Sequence, residues 1–93
     1  MAEQAADPAP DVRAAVVSFI AANGLAPVDA ATITGHLNII EAGIMDSVMI
    51  LELVSHIEET FAVTIAPTDI VVENFDCLDS IVALVTHLRG GRR

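Results

Sequence analysis

Residues 43–61 read Gly43-Ile44-Met45-Asp46-Ser47-Val48-Met49-Ile50-Leu51-Glu52-Leu53-Val54-Ser55-His56-Ile57-Glu58-Glu59-Thr60-Phe61. The spacing predicts a helix that starts at Asp46-Ser47 and runs to about Phe61. Asp and Ser are the residue types that cap helix N-termini, because a short side-chain oxygen can accept from an unpaired first-turn amide. Ile50, Leu53, Val54, Ile57 and Phe61 recur at three- and four-residue steps, with Leu51 beside them, as an apolar stripe should. Glu52, Ser55, His56, Glu58 and Glu59 fall on the other face. Gly43 allows a sharp turn just ahead of the helix. Ile44 and Met45 are apolar residues on a loop, so they need either a core to enter or a partner to meet.

Outward from that helix, the pattern stays helical. Pro10-Asp11 suits the opening of a first helix, since Pro fits the first turn and Asp favours the positive end of the dipole. Val12, Val16, Phe19 and Ile20 form its stripe, and Asn23-Gly24 is expected to end it with glycine in the left-handed conformation. Residues 24–46 form a long connection with Pro27, Thr32, Thr34 and Gly35. A connection of that length in a small domain is uncommon and tends to be functional. Asn38 to Glu41 are expected to make one helical turn. Pro67-Thr68-Asp69 begins a short third helix, or a turn leading into one, over residues 68–75. Asp76, with Asp79 three residues on, is expected to cap a fourth helix striped by Ile81, Leu84, Val85 and Leu88. Arg89 lies near its negative end and Gly90-Gly91 release the chain. The β-prone stretch Ala62-Val63-Thr64-Ile65 has no partner strand and cannot make a sheet alone. The expected fold is all-α, a four-helix bundle of three long helices and one short, with residues 1–9 a disordered lead-in, 10–89 the domain and 90–93 a flexible tail.

The chain has 93 residues, 54% hydrophobic but only 3% aromatic, so one core must be built from Ala, Val, Ile and Leu. No apolar run approaches the roughly 18 residues needed to span a bilayer. The N-terminus has neither a basic start nor an apolar stretch, so no signal peptide is read there and a cytoplasmic protein is expected. The formal net charge is −9, with no lysine and with the arginines, Arg13, Arg89, Arg92 and Arg93, confined to the ends. Such a surface repels polyanions and anionic membranes, which excludes nucleic-acid binding and disfavours membrane attachment. It would steer the chain toward basic partners. The single cysteine, Cys77, allows no internal disulfide and is read as a small buried apolar residue.

Catalytic chemistry finds little support. Ser47 has no Gly-x-Ser-x-Gly surroundings. His56, on the same helix, lies about 13 Å along the axis from it, too far for the hydrogen bond of a hydrolytic triad. His36, His56 and His87 lack paired metal-ligand spacing and read as surface or boundary residues. No catalytic residue and no metal site are expected. A helical interaction module in which Ser47 is only a cap would keep the same bundle and acidic face.

Gly43-Ile44-Met45-Asp46-Ser47 resembles the modification motif of acyl and peptidyl carrier proteins. It is most similar to the form Gly-(Leu/Ile)-Leu-Asp-Ser, found in D-alanyl carrier proteins and stand-alone carriers of natural-product pathways. The resemblance continues through Leu51-Glu52-Leu53-Val54, Ile57-Glu58-Glu59-Thr60-Phe61, Ile65-Ala66-Pro67, Glu73-Asn74-Phe75 and Leu78-Asp79-Ser80-Ile81, covering roughly residues 10 to 88. It implies that Ser47 receives 4′-phosphopantetheine from coenzyme A, supported by Asp46, and that the arm holds an acyl or aminoacyl group as a thioester. It implies a monomer whose partners are a phosphopantetheinyl transferase, an activating ligase (adenylation enzyme), and a downstream acyltransferase, ketosynthase or condensation enzyme. The helix after the serine would be the docking face, with Ile44, Met45, Val48, Met49, Glu52, Ser55, Glu58 and Glu59 as candidate contacts. Fatty-acid carriers usually have one residue between the glycine and Asp-Ser, and often an acid two after the serine. Here there are two residues, Ile44 and Met45, and Met49 stands at the second position. Both departures favour a natural-product carrier of polyketide or nonribosomal peptide type over a fatty-acid carrier. An amino acid or short acyl cargo is expected; a longer polyketide or fatty intermediate, walled by Ile50, Leu51 and Ile65, is the alternative.

Overall fold

The computed structural model describes residues 11–25 and 28–90, and it places four α-helices there: α1 (Val12–Asn23), α2 (Ser47–Phe61), α3 (Val72–Phe75) and α4 (Leu78–Arg89). Short 3₁₀ turns at Ala30–Thr32 and Pro67–Asp69 punctuate the connections. No strand occurs among the described residues, so the chain is the expected all-helical bundle of three longer helices and one short. The expected lead-in 1–9 and most of the tail, from Gly91 onward, lie outside the described residues, as does Pro10. None of the helices is long and apolar enough to cross a membrane.

Each long helix buries most of the stripe its sequence spells, with Phe19 of α1 and Leu88 of α4 only half-buried. Val12, Val16 and Ile20 of α1 meet Leu53, Ile57 and Phe61 of α2 and Ile81, Leu84 and Val85 of α4 in one core. Removing such a side chain from water contributes about 1.5–3 kcal/mol. α1 packs against both α2 and α4. Phe19 also stacks on His56, with ring centroids 4.9 Å apart, which ties α1 to the solvent side of α2. At the far end of α2, the Arg89 guanidinium sits 5.5 Å from the Phe61 ring centroid. α3 is four residues long and far too short to persist alone. It is held by Phe75, which is fully buried, and by Asn74, whose Nδ2 donates to the Asp69 carbonyl at 2.8 Å.

Several helix ends differ from expectation. Gly24 does not adopt the left-handed conformation: at φ −59 and ψ 152 it leaves α1 extended, its amide still donating to the Ile20 carbonyl at 2.8 Å. The left-handed residue is Ala62, which ends α2 at φ 56 and ψ 43. The exit is secured by Glu58, whose Oε2 accepts from the Ile65 amide at 2.8 Å. Asp76 does not cap α4; the capping position falls to Cys77, without a side-chain cap bond, and Asp79 turns instead toward Arg13. Cys77 is therefore not the buried residue expected. It is half-buried, with Sγ 3.3 Å from Ser80 Oγ. Asn38 to Glu41, by contrast, make the single turn expected: the Ala42 amide donates to the Asn38 carbonyl at 3.0 Å, and Asn38 Oδ1 accepts from the amides of Ile40 and Glu41.

The long connection is as much part of the core as the helices. Ile33, Ile39, Ile44 and Met45 are buried. The docking role expected of Ile44, Met45 and Met49 is thus corrected. Met45 and Met49 are each 2% exposed, because the turn at Gly43 drives the loop inward and Met49 lies on the core side of α2. Met45→Ala should cost about 2–5 kcal/mol in urea unfolding, while Val48→Ala should stay within about 0.5 kcal/mol. Equal, small losses for both would contradict the burial of Met45. Ala62→Gly should raise stability by about 0.5–1 kcal/mol, since relief of the left-handed strain exceeds glycine's own greater chain entropy; a midpoint lowered by a similar amount would show that Ala62 is unstrained.

Candidate functional site

Ser47 is the first residue of α2, and its side chain is exposed. Three local features put it there. Gly43, at φ +78 with open space where a Cβ would stand, reverses the chain by conformation alone. The Ile39 carbonyl then accepts from the amides of both Ile44 and Met45 at 3.0 Å, which closes the loop on itself. Asp46 is extended, at φ −130, and its Oδ1 accepts from the Met49 amide at 3.0 Å. That cap contributes about 1 kcal/mol and commits the Asp46 carboxylate to the helix.

Beyond Ser47, the solvent face of α2 is a continuous stripe. Val48, Glu52, Ser55 and Glu59 are all exposed, at steps of four, three and four residues. Val48 is 64% exposed and Leu51, expected beside the buried stripe, is 56% exposed. Of the eight candidate contacts named from the sequence, the structure brings these four together on one surface. It removes Ile44, Met45 and Met49 to the core and draws Glu58 half under the chain that leaves α2.

A groove of about 200 Å³ opens beside Ser47. Its walls are Ser47, Ile50 and Leu51 from α2, Ile70 and Val71 from the approach to α3, and Val72, the first residue of α3. The last three were not anticipated, and Ile65, expected as a wall, is not among them. The signal was present in the run Ile70-Val71-Val72: three consecutive aliphatics beside a four-residue helix cannot all face a core, and Val71 and Val72 do not.

The electrostatics around this surface are one-signed. Asp46, Glu52, Glu59 and Glu73 are exposed, whereas the arginines of the described residues lie elsewhere, Arg13 on Asp79 and Arg89 over Phe61. Among the described residues no group of three or more His, Cys, Asp or Glu is placed to hold a metal ion. His36, His56 and His87 are apart: His36 is near Asp79, His56 stacks on Phe19, and His87 is exposed on α4. Ser47 and His56 stand nine residues apart on α2, about 13 Å along its axis, so no relay joins them.

The arrangement offers an exposed primary hydroxyl at the positive end of a helix, where an attached phosphodiester is favoured by the dipole. With an apolar groove alongside, the residues present fit a phosphorylated arm. Residues 21–88 match the family described as PP-binding, phosphopantetheine attachment site. The match takes in α2, α3 and nearly all of α4 and covers well over half of the chain. A comparison with curated proteins found no significant match. Domains of the matched family bear 4′-phosphopantetheine covalently and work with phosphopantetheinyl transferases and biosynthetic enzymes. The chain belongs to the phosphopantetheine-attachment family, as a non-catalytic carrier domain built on a helical bundle.

Proposed function

We propose that Ser47 is the attachment residue and that the chain shuttles an acyl or aminoacyl group between enzymes of a natural-product pathway of polyketide or nonribosomal peptide type. The observation that supports this reading best is the exposed Ser47 hydroxyl at the start of α2, reached through the turn at Gly43. When bound, the arm supplies a terminal thiol that holds the cargo as a thioester. The chain's own part is presentation. Asp46 fixes the first turn of α2 by capping the Met49 amide, so the Ser47 hydroxyl faces solvent in one place. The transferase would supply the base and metal, and the serine needs no activation from its neighbours.

The exposed stripe of Val48, Glu52, Ser55 and Glu59, with Leu51 beside it, is the surface for partners. Those partners are the transferase, an activating ligase, and a downstream acyltransferase, ketosynthase or condensation enzyme. Two apolar contacts flanked by carboxylates suit a partner that offers an apolar patch rimmed by basic residues, and rim charges favour quick association and release. Cargo of amino-acid or short acyl size is the reading favoured by the Gly43-Ile44-Met45-Asp46-Ser47 form of the motif.

Incubation with coenzyme A, magnesium and a broad-specificity phosphopantetheinyl transferase should add one phosphopantetheine to the intact mass. Ser47→Ala should abolish the gain. Modification of the Ser47→Ala chain, or none of the wild type with transferases of several families, would refute the assignment. Glu52→Lys with Glu59→Lys should raise the transferase KM for the carrier several-fold and flatten its salt dependence. An unchanged KM at low salt would remove this face from the encounter.

A further inference from the structure

The Asp79 side chain joins three separate segments. Its Oδ1 accepts from Arg13 Nη2 of α1 at 2.9 Å, and its Oδ2 lies 3.5 Å from His36 Nδ1 in the long connection. Its own amide, in the first turn of α4, donates to the Gly35 carbonyl at 3.1 Å. The carboxylate lies directly over Gly35, so closely that a Cβ at that position would overlap Oδ1 and Oδ2. Gly35 does not have a positive φ, so a side chain there would leave the backbone unstrained and would act by displacing the Asp79 carboxylate.

What this cluster holds in place leads to Ser47. Four residues past Gly35, the Ile39 amide donates to the Asp76 carbonyl at 2.8 Å, a second bond between the connection and the α3–α4 junction. The Ile39 carbonyl in turn accepts from the amides of Ile44 and Met45, the residues next to Asp46-Ser47. Backbone bonds therefore run from the start of α4 through one loop residue to the segment that aims the serine.

We propose that Asp79 is a positioning residue for Ser47, a latch that seats Gly35 and His36 on α4 and so holds the Ile39 relay against Asp76. The inference rests on Ser47 being the modified residue. The pair with Arg13 is partly exposed, and such pairs contribute little to global stability. The effect is local: with the latch open, the loop samples positions from which Ser47 is not presented, and only the competent fraction reacts. The docking stripe on α2 is untouched by this change.

The test uses the full chain as wild type, Asp79→Ala, Gly35→Ala and the double variant. Gly35→Ala displaces the same carboxylate from the other side, and serves alone if Asp79→Ala does not fold. Steady-state transfer from coenzyme A should show kcat lower by roughly tenfold in each single variant, as when the competent fraction falls to about a tenth, with KM for the carrier nearly unchanged. Amide hydrogen exchange at Ile39, Ile44 and Met45 should accelerate in the same variants, and the double variant should be no worse than either single one. Unchanged kcat and exchange, a change in KM alone, or additive effects in the double variant would each overturn the latch. If the wild type were not modified at Ser47, the proposed function would fail, while the exchange data would still decide whether Asp79 and Gly35 hold the loop.

Discussion

The burial of Met45 is the contact on which the rest of the arrangement depends. A loop residue two positions before the serine enters the core between helices, together with Ile39 and Ile44. Close packing leaves such side chains few alternatives, so the backbone at Asp46 and Ser47 is fixed by the bundle and not by the loop alone. An exposed hydroxyl follows directly from a buried thioether two residues earlier. The same arrangement explains how a long connection can be ordered without helices of its own: its apolar residues are anchored in the core and its amides are taken up by Ile39, Asn38 and Asp76.

α2 divides its work by face. The inner face, from Met49 to Phe61, supplies the centre of the core; the outer face presents Val48, Leu51, Glu52, Ser55 and Glu59 to solvent. The helix can meet partners without disturbing its own packing, because no side chain has both duties. Glu58 is the instructive exception. It is acidic and adjacent to Glu59, yet its carboxylate accepts from the Ile65 amide and closes the chain after the left-handed Ala62. Charge on a helix does not by itself signal a docking role.

α3 and the start of α4 do more than complete the bundle. Phe75 anchors a four-residue helix whose first residue, Val72, walls the groove beside Ser47 together with the preceding Ile70 and Val71. One residue later, the Asp76 carbonyl receives the loop that leads to the serine. The groove and the serine segment therefore share a support at the α3–α4 junction, with Asp79 and Arg13 at its outer edge.

The sequence by itself determined the helices and the place of the serine, because both are written in local terms. Apolar residues at helical spacing specify which face of α1, α2 and α4 is buried, and Asp46 before Ser47 caps α2 with the amide three residues on. The run from Gly43 to Ser47 also carried the resemblance to carrier proteins, and the family match bears out that broad family. Tertiary structure alone decided what each apolar or charged loop residue does. Ile44 and Met45 were equally suited to a core or a partner, and the turn at Gly43 sent them inward. Val71 and Val72 were left outside because α3 is four residues long and buries only Phe75. Asp79 looked like part of a helix cap and became a bridge to Arg13, 66 residues earlier in the chain. Such pairings depend on distances between segments far apart in sequence, and periodicity and capping rules reach only a few residues along a helix.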